Sequence, residues 1–360
     1  MRETWKLDST AAVKSATIQI FTALVLAVWF VPTPCRAQTG DLHEDLKNLN
    51  VRLKTDHYIL AGTVTDSRLE IYANALEYIN KEYRKMFSEV LKEQDKQTAA
   101  TKGKKSDSKS KTKTRDKAKD KAKDKQRQQE QDDSENKTMD QLENEKRFPV
   151  IVFNNKQEYE RFGRAYLGGS EHTIGMYMPS NKLLIIMDQG NFNETTEVLF
   201  HEAFHQFMDS YVADPPMWLN EGLAVHFGYA KPGTNGLSFR NPPAIRWQII
   251  RKCIQKKINP SLWEVVSADR AEFYNSMPIK VSGFENVRMS SLYYAEAYTL
   301  VHTLLADPTG RDRLRDYIRD LAKDKGMKTH EITRKYFGPD VCEHMTSFWI
   351  KHVNSRPETH

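Results

Sequence analysis

The sequence predicts an α+β protein in which a small mixed sheet with helices is followed by a mainly helical C-terminal half. The first observation is that short apolar runs typical of strands lie between helical patterns early in the chain. These runs are Tyr58–Val64, Phe148–Phe153 and Leu183–Met187. The second observation is that the chain from Asn193 onward is mostly helical. Strands and helices followed by helices alone are typical of this class.

The N-terminus has the layout of a secretory signal. Basic residues precede an apolar run at 16–31, and Ala37 then supplies a small residue at the expected cut. We predict a signal peptide over residues 1–37 that is cleaved after Ala37, with an uncleaved anchor as the alternative. The protein is therefore expected to be exported, which places it in the periplasm, at the cell surface or outside the cell.

Two cysteines, Cys253 and Cys342, remain after this cleavage. In an oxidising compartment they can form a disulfide, and two buried thiols are the alternative. The sequence favours neither. Because it contains no CxxC pair, it predicts no cysteine-based metal site.

Residues 38–92 are predicted to form a strand–helix unit, after which the composition changes sharply. Between residues 102 and 127 there are thirteen Lys or Arg and four Asp, with almost no large apolar side chain. Such a segment cannot bury enough surface to offset its ordering entropy. The low-complexity insertion at 93–147 either contacts an anionic surface or is simply solvated, and the second interpretation is favoured. The rest of the chain is nearly neutral, so no nucleic-acid binding is expected.

The pattern His201-Glu202-Ala203-Phe204-His205 lies within a predicted helix. Two histidines four residues apart share one helical face, so both imidazoles can bind one metal ion. HExxH spacing is typical of a zinc-protease helix, and Glu202 is then the candidate general base for a water that zinc activates. The alternative is that these are ordinary packed or surface histidines of an amphipathic helix.

A second segment, Trp218 to Ala224, supplies a candidate third ligand. It begins after Pro215-Pro216, which favours the start of another helix, and it contains Glu221. A helical hairpin would bring the Glu221 carboxylate back to the two histidines. Two histidines and one glutamate form a recognised set of ligands for a catalytic zinc, which keeps one position open for water.

These two segments together resemble the gluzincin metallopeptidases, whose third ligand lies in an Asn-Glu-Gly segment like Asn220-Glu221-Gly222. The resemblance is closest to secreted bacterial gluzincin-like proteins and covers residues 148 to about 305. It implies a zincin-like fold with one zinc ion held by His201, His205 and Glu221. It further implies hydrolysis of a polypeptide substrate, with Glu202 as the base.

A further resemblance concerns Tyr294-Ala295-Glu296-Ala297-Tyr298, which is similar to the helix start that carries the transition-state tyrosine in related aminopeptidases. This implies that Tyr294 donates a hydrogen bond to the developing oxyanion. The alternative is that Tyr293, Tyr294 and Tyr298 form a helical core face.

The chain departs from the aminopeptidases because no Gly-x-Met-x-Asn motif precedes the zinc helix. An endopeptidase is therefore favoured over an aminopeptidase. The run Leu183–Met187 is a candidate strand for pairing with an extended peptide, and an ordinary sheet strand is the alternative. Nothing in the sequence predicts an oligomeric state.

Residues 38–92 and the core at 148–230 together make up the predicted catalytic unit, and 231–360 form a helical C-terminal region.

Glu197 is either a partner of a histidine ligand or a helix-start acid. His226 and His302 are expected to be core or supporting residues. The alternative for the whole chain is a catalytically inactive, zinc-containing module that binds at a surface.

Overall fold

The computed structural model describes residues 51–93, 147–167, 173–233, 236–239, 244–284, 287–324, 326 and 328–356. The predicted signal peptide at 1–37 lies outside the described residues, as does the charged insertion predicted at 93–147 except for its first and last residues. The described chain contains a five-stranded mixed sheet followed by a mainly helical half, so the predicted α+β class is confirmed.

The larger sheet has the strand order β1-β2-β3-β5-β4. Its strands are β1 (Leu53–Lys54), β2 (Tyr58–Gly62), β3 (Phe148–Phe153), β4 (Gly175–Met178) and β5 (Leu183–Met187). Strands β2, β3 and β5 are parallel neighbours, whereas β1 and β4 are antiparallel edges. The central strands are almost continuously apolar because both faces of the sheet are buried.

Helices cover both faces of this sheet and build the rest of the chain. They are α1 (Asp66–Met86), α2 (Lys156–Leu167), α3 (Phe192–Asp209), α4 (Met217–Gly228), α5 (Ala244–Lys256), α6 (Leu262–Ser267), α7 (Arg270–Phe273), α8 (Met289–Ala306), α9 (Pro308–Asp324), α10 (Thr329–Phe337) and α11 (Pro339–Asn354). Side chains of α2 pack on one face, and those of α1 and α3 belong to the larger core on the other. Helix α4 packs against both α3 and α8 at the centre of this core.

A small antiparallel hairpin interrupts the half of the chain that the sequence predicts to be mostly helical. Its strands are β6 (Ala230–Gly233) and β7 (Gly236–Phe239). The chain extends there instead of turning directly into the next helix.

The strand proposed for peptide pairing is not at the edge of the sheet. Strand β5 lies between β3 and β4, so both of its ladders are already paired. The prediction that Leu183–Met187 pairs with an extended peptide is therefore wrong. Its neighbour β4 holds the edge position, because the chain runs along the edge first as β4 and then turns back to place β5 between β4 and β3.

Both cysteines are buried and unpaired in the structure, which decides between the two interpretations left open by the sequence. The Cys342 thiol donates a hydrogen bond to the carbonyl of Phe337 at 3.1 Å. Within the described ranges, no helix is both long enough and apolar enough to cross a membrane.

Candidate metal centre

The two histidines of the HExxH pattern meet on the buried face of α3. This helix begins after Asn191, whose side chain accepts a hydrogen bond from the backbone N–H of Asn193. The four-residue spacing brings the Nε2 atoms of His201 and His205 to 3.1 Å from each other, with the rings at 85°. Both nitrogen atoms therefore point to one spot.

Glu221 completes this group from the first half of α4. Its Oε2 lies 3.5 Å from His201 Nε2 and 3.6 Å from His205 Nε2. All three side chains are buried, and the three together are a group able to hold a metal ion. The hairpin of α3 and α4 thus brings together the three residues that the sequence nominates as ligands.

The spacing of these atoms fits a small ion. Ligand atoms bonded to a tetrahedral zinc at roughly 2.0–2.2 Å lie about 3.3–3.6 Å from one another. The three observed separations are 3.1, 3.5 and 3.6 Å. Moreover, Glu221 Oε2 is buried yet accepts no hydrogen bond from any described residue. A buried carboxylate oxygen without a donor is costly, and a cation at this position would remove that cost.

The charge of Glu221 also suits a ligand. Burial acts to raise its pKa, but the adjacent imidazoles of His205 and His201 and the hydrogen bond from Tyr274 outweigh burial and lower the pKa to about 2. The carboxylate is therefore ionised at neutral pH and available to bind a cation.

Two glycines allow the helices to approach closely around this carboxylate. A Cβ on Gly222 would lie 2.7 Å from the carbonyl oxygen of Ala297 on α8. A Cβ on Gly228 would lie 2.9 Å from the carbonyl oxygen of Glu197 on α3. Since both distances are too short for a real side chain, α4 reaches its two neighbours only because these positions lack one.

The Asn220 side chain contacts His205, one of the candidate histidine ligands, on the ring nitrogen that does not face Glu221. Its Oδ1 lies 3.0 Å from His205 Nδ1. If Nδ1 carries the proton and donates it to this oxygen, the lone pair of the ring is on Nε2, which faces Glu221. Asn220 entered the sequence analysis only as part of the Asn-Glu-Gly segment, and the structure gives its side chain this contact.

Glu202, the predicted base, lies at the boundary between α3 and the edge strand β4. Its Oε2 accepts a hydrogen bond from the backbone N–H of Tyr177 at 2.9 Å. Burial raises the pKa of Glu202 to about 7, and the charge of Glu221 adds to this rise while His205 opposes it. A carboxyl group with a pKa near neutrality can both accept and return a proton.

Tyr294, the predicted oxyanion donor, is buried on α8. Its ring packs on Phe273 with centroids 5.3 Å apart, so it belongs to the aromatic core. Its hydroxyl is also buried and has no hydrogen-bond partner among the described residues. Burial and then the charge of Glu221 raise the pKa of this hydroxyl well above its usual value, so it stays protonated. Both predicted roles, core residue and donor, are compatible with this position.

Tyr274 is a site residue that the sequence analysis did not find. Its hydroxyl donates a hydrogen bond to Glu221 Oε1 at 2.6 Å. It follows the short helix α7, far from both motifs along the chain, and no spacing pattern connects it to them. Only the packing of α7 beside α4 and α8 reveals the contact.

The remaining candidates lie apart from the three ligands. Glu197 interacts with Tyr229 and with the charges of Lys231 and Arg246, and its pKa is raised, chiefly by burial. The ring of His226 lies 6.4 Å from that of His302, and burial lowers the pKa of His226 to about 4. Neither histidine belongs to the metal-binding group.

A scan against models of known protein families finds no match in this chain, and no curated protein matches its sequence. The function of the site is therefore inferred from its own residues: a triangle of buried candidate ligand atoms, the neighbouring buried carboxyl group of Glu202, and the Tyr274 hydroxyl hydrogen-bonded to Glu221.

Proposed function

We propose that this protein is a zinc-dependent peptidase of the gluzincin type, with His201, His205 and Glu221 as metal ligands and Glu202 as general base. The observation that carries the proposal is the buried triangle of ligand atoms, in which Glu221 Oε2 has no hydrogen-bond donor. The HExxH and Asn-Glu-Gly segments of the sequence support it independently.

Zinc is the ion that the donor set favours. Imidazole nitrogen and carboxylate oxygen suit zinc, and three protein ligands leave a position open for chemistry. A structural zinc usually has four protein ligands, whereas the described residues supply three. When bound, the ion supplies Lewis acidity and lowers the pKa of water.

Glu202 is suited to move the proton in this reaction. Its pKa of about 7 lets it accept a proton from water near neutral pH and then return the proton to the leaving amine. The N–H of Tyr177 fixes one carboxylate oxygen, so the orientation of the group is set before the substrate arrives. Tyr294 is proposed to donate its unpaired hydroxyl hydrogen to the oxyanion.

The edge strand β4 is the proposed docking place for a polypeptide substrate. One ladder of β4 is paired with β5, and the N–H of Tyr177 points from the other side toward Glu202. An extended peptide that adds to this side would pass close to the base. Binding along a strand does not require a free amino terminus, which favours an endopeptidase.

Export of the protein is part of the proposal. It depends on the signal-like pattern at residues 1–37 and predicts that the peptidase acts in the periplasm, at the cell surface or in the medium.

The test compares the purified protein with Glu202→Gln for zinc content and for cleavage of a peptide library. Both are expected to hold one zinc ion, and Glu202→Gln should cleave about 10²–10⁴-fold more slowly because the base is lost. Glu194→Gln is the matched control, since it makes the same change at an exposed position of the same helix.

Full zinc-dependent cleavage by Glu202→Gln would contradict the mechanism. One zinc ion in each protein with no cleavage by the parent would instead favour the surface-binding alternative. Absence of zinc from the parent would overturn the ligand assignment itself.

A further inference from the structure

Tyr274 makes the shortest polar contact of the candidate metal centre without being one of its ligands. Its hydroxyl lies 2.6 Å from Glu221 Oε1. That is the length of a charge-assisted O–H···O⁻ bond, the stronger kind of hydrogen bond. A phenol has an ordinary pKa of about 10 and keeps its proton at neutral pH, so the hydroxyl is the donor and the carboxylate is the acceptor.

The backbone that carries Tyr274 is held firmly in place. The preceding helix α7 starts with a capping box, in which Asp269 and Glu272 each accept a hydrogen bond from the backbone N–H of the other. At the C-terminal end of α7, the backbone N–H of Tyr274 donates a hydrogen bond to the carbonyl of Arg270. The ring packs against Phe273 and Tyr294 with centroids 5.7 and 6.2 Å away. The hydroxyl therefore has a fixed position relative to Glu221.

Because of this contact, the two oxygens of the Glu221 carboxylate have different partners. Oε1 accepts from Tyr274, while Oε2 faces both imidazoles and has no hydrogen bond from the described residues. A carboxylate with both oxygens free can bind a metal through either oxygen or through both. The hydrogen bond holds Oε1 toward Tyr274, so Oε2 is the oxygen directed at the position between the two imidazoles.

We infer that Tyr274 is a positioning residue that makes Glu221 a one-oxygen ligand and so keeps a coordination position open for substrate. This inference rests on the proposed function. It also gives the two tyrosines different roles. Tyr274 positions the carboxylate of Glu221, whereas the hydroxyl of Tyr294, which has no hydrogen-bond partner among the described residues, is available to donate a hydrogen bond to the substrate.

The test is Tyr274→Phe, which removes one oxygen atom and keeps the ring. Zinc affinity, measured by competition with a chelator, should fall about 10–100-fold, as is typical when a partner of a metal ligand is lost. Tyr293→Phe is the matched control, because Tyr293 packs on the same Phe273 with centroids 5.5 Å apart and has no contact with Glu221 in the described structure. It should bind zinc as the parent does.

A spectroscopic measurement distinguishes positioning from general destabilisation. After cobalt(II) replaces zinc, the visible absorption reports the coordination number, because four-coordinate cobalt(II) absorbs more strongly than ions with more ligands. Tyr274→Phe should absorb more weakly than the parent as Oε1 joins the ion, and Tyr293→Phe should not. Thermal unfolding with the metal chelated would show whether Tyr274→Phe is folded. It would also show how much stability the variant loses because Oε1 has no hydrogen-bond donor.

The outcomes separate the two proposals. A parent that binds no zinc would overturn the proposed function and this inference with it. A parent that binds zinc, together with a Tyr274→Phe protein of equal affinity and equal cobalt spectrum, would overturn the inference alone. Equal losses in Tyr274→Phe and Tyr293→Phe would also overturn it, since the hydrogen bond to Glu221 would then not be the cause.

Discussion

Two pairs of histidines lie inside this molecule with nearly the same separation but opposite surroundings. In the metal centre, the Nε2 atoms of His201 and His205 are 3.1 Å apart. In a second group, here called the C-terminal histidine cluster (His302, His352 and Arg356), His302 Nδ1 and His352 Nε2 are 3.0 Å apart. Only the first pair belongs to a metal-binding group within the described residues.

The third member of each group accounts for the difference. Glu221 brings a carboxylate with an unpaired oxygen to the first pair. Arg356 instead brings a guanidinium to the second pair, 3.0 Å from His352 Nε2 and 3.4 Å from His302 Nδ1. A guanidinium has only donors to offer and repels a cation. We therefore expect that adjacent imidazoles alone do not make a metal site, and that the charge of the neighbouring side chain decides whether they bind an ion.

The largest predicted effect comes from removing the carboxylate from the first group. Glu221→Gln should reduce bound zinc from one ion per chain to below about a tenth, because the neutral amide is a poor zinc ligand. Arg356→Gln removes the charged member of the C-terminal histidine cluster and should leave zinc at one per chain. Metal analysis after dialysis measures both. Retention of zinc by Glu221→Gln would show that the two histidines suffice.

The next effect is on stability. A ligand that binds only the folded state adds about 4 kcal/mol to the free energy of unfolding when its free concentration is 1,000 times its Kd. Chemical denaturation with and without free zinc should show a gain of this order in the parent and in His302→Gln. Glu221→Gln should show almost none. A zinc-dependent gain that His302→Gln loses would place a metal at the C-terminal histidine cluster.

Helix packing around the metal centre provides a smaller effect. Gly222→Ala forces a Cβ to 2.7 Å from the carbonyl oxygen of Ala297 and should cost about 1–3 kcal/mol of unfolding free energy. Gly310→Ala makes a comparable clash, 2.5 Å from the carbonyl oxygen of Leu304. Only Gly222→Ala should also weaken zinc binding, because its neighbour Glu221 must move with α4. Equal zinc affinities in the two variants would mean that the hairpin adjusts without displacing the ligand.

The parts of the site that are local in sequence were predictable from sequence. Helical periodicity places His201 and His205 on one face, and the prolines before α4 indicate a hairpin that returns Glu221. These inferences need only spacing and turn chemistry. The α+β class was predictable for the same reason, since apolar runs and helical patterns are local signals.

The remaining features depend on tertiary packing. Strands β4 and β5 are both largely apolar, and only the pairing of β5 with β3 decides that β4 is the edge. Tyr274 lies 53 residues after Glu221, on a connection whose position is set by what packs against it. No periodicity relates such residues to a motif, so sequence patterns alone could not identify them.

The smallest predicted effect tests whether the C-terminal histidine cluster is neutral. Burial, assisted by Arg356, lowers the pKa of His302 to about 3 and that of His352 to about 4, below the usual 6.5. The groups that face them are Arg356 and His226, with the rings of Trp247 and Tyr298 alongside. At pH 7 these histidines are neutral in the folded chain and mostly neutral in the unfolded chain, so they contribute little to the pH dependence there.

As the pH falls below about 6.5, the unfolded chain takes up protons that the folded chain cannot, so the free energy of unfolding must decrease toward pH 4. His302→Gln removes one of these sites and should reduce the loss between pH 7 and pH 5 by about 0.5–1 kcal/mol, allowing for partial exposure. Chemical denaturation with the zinc chelated throughout measures this without a contribution from metal release. Equal losses in parent and variant would mean that Arg356 does not keep the cluster neutral, and the contrast between the two histidine groups would then rest on geometry alone.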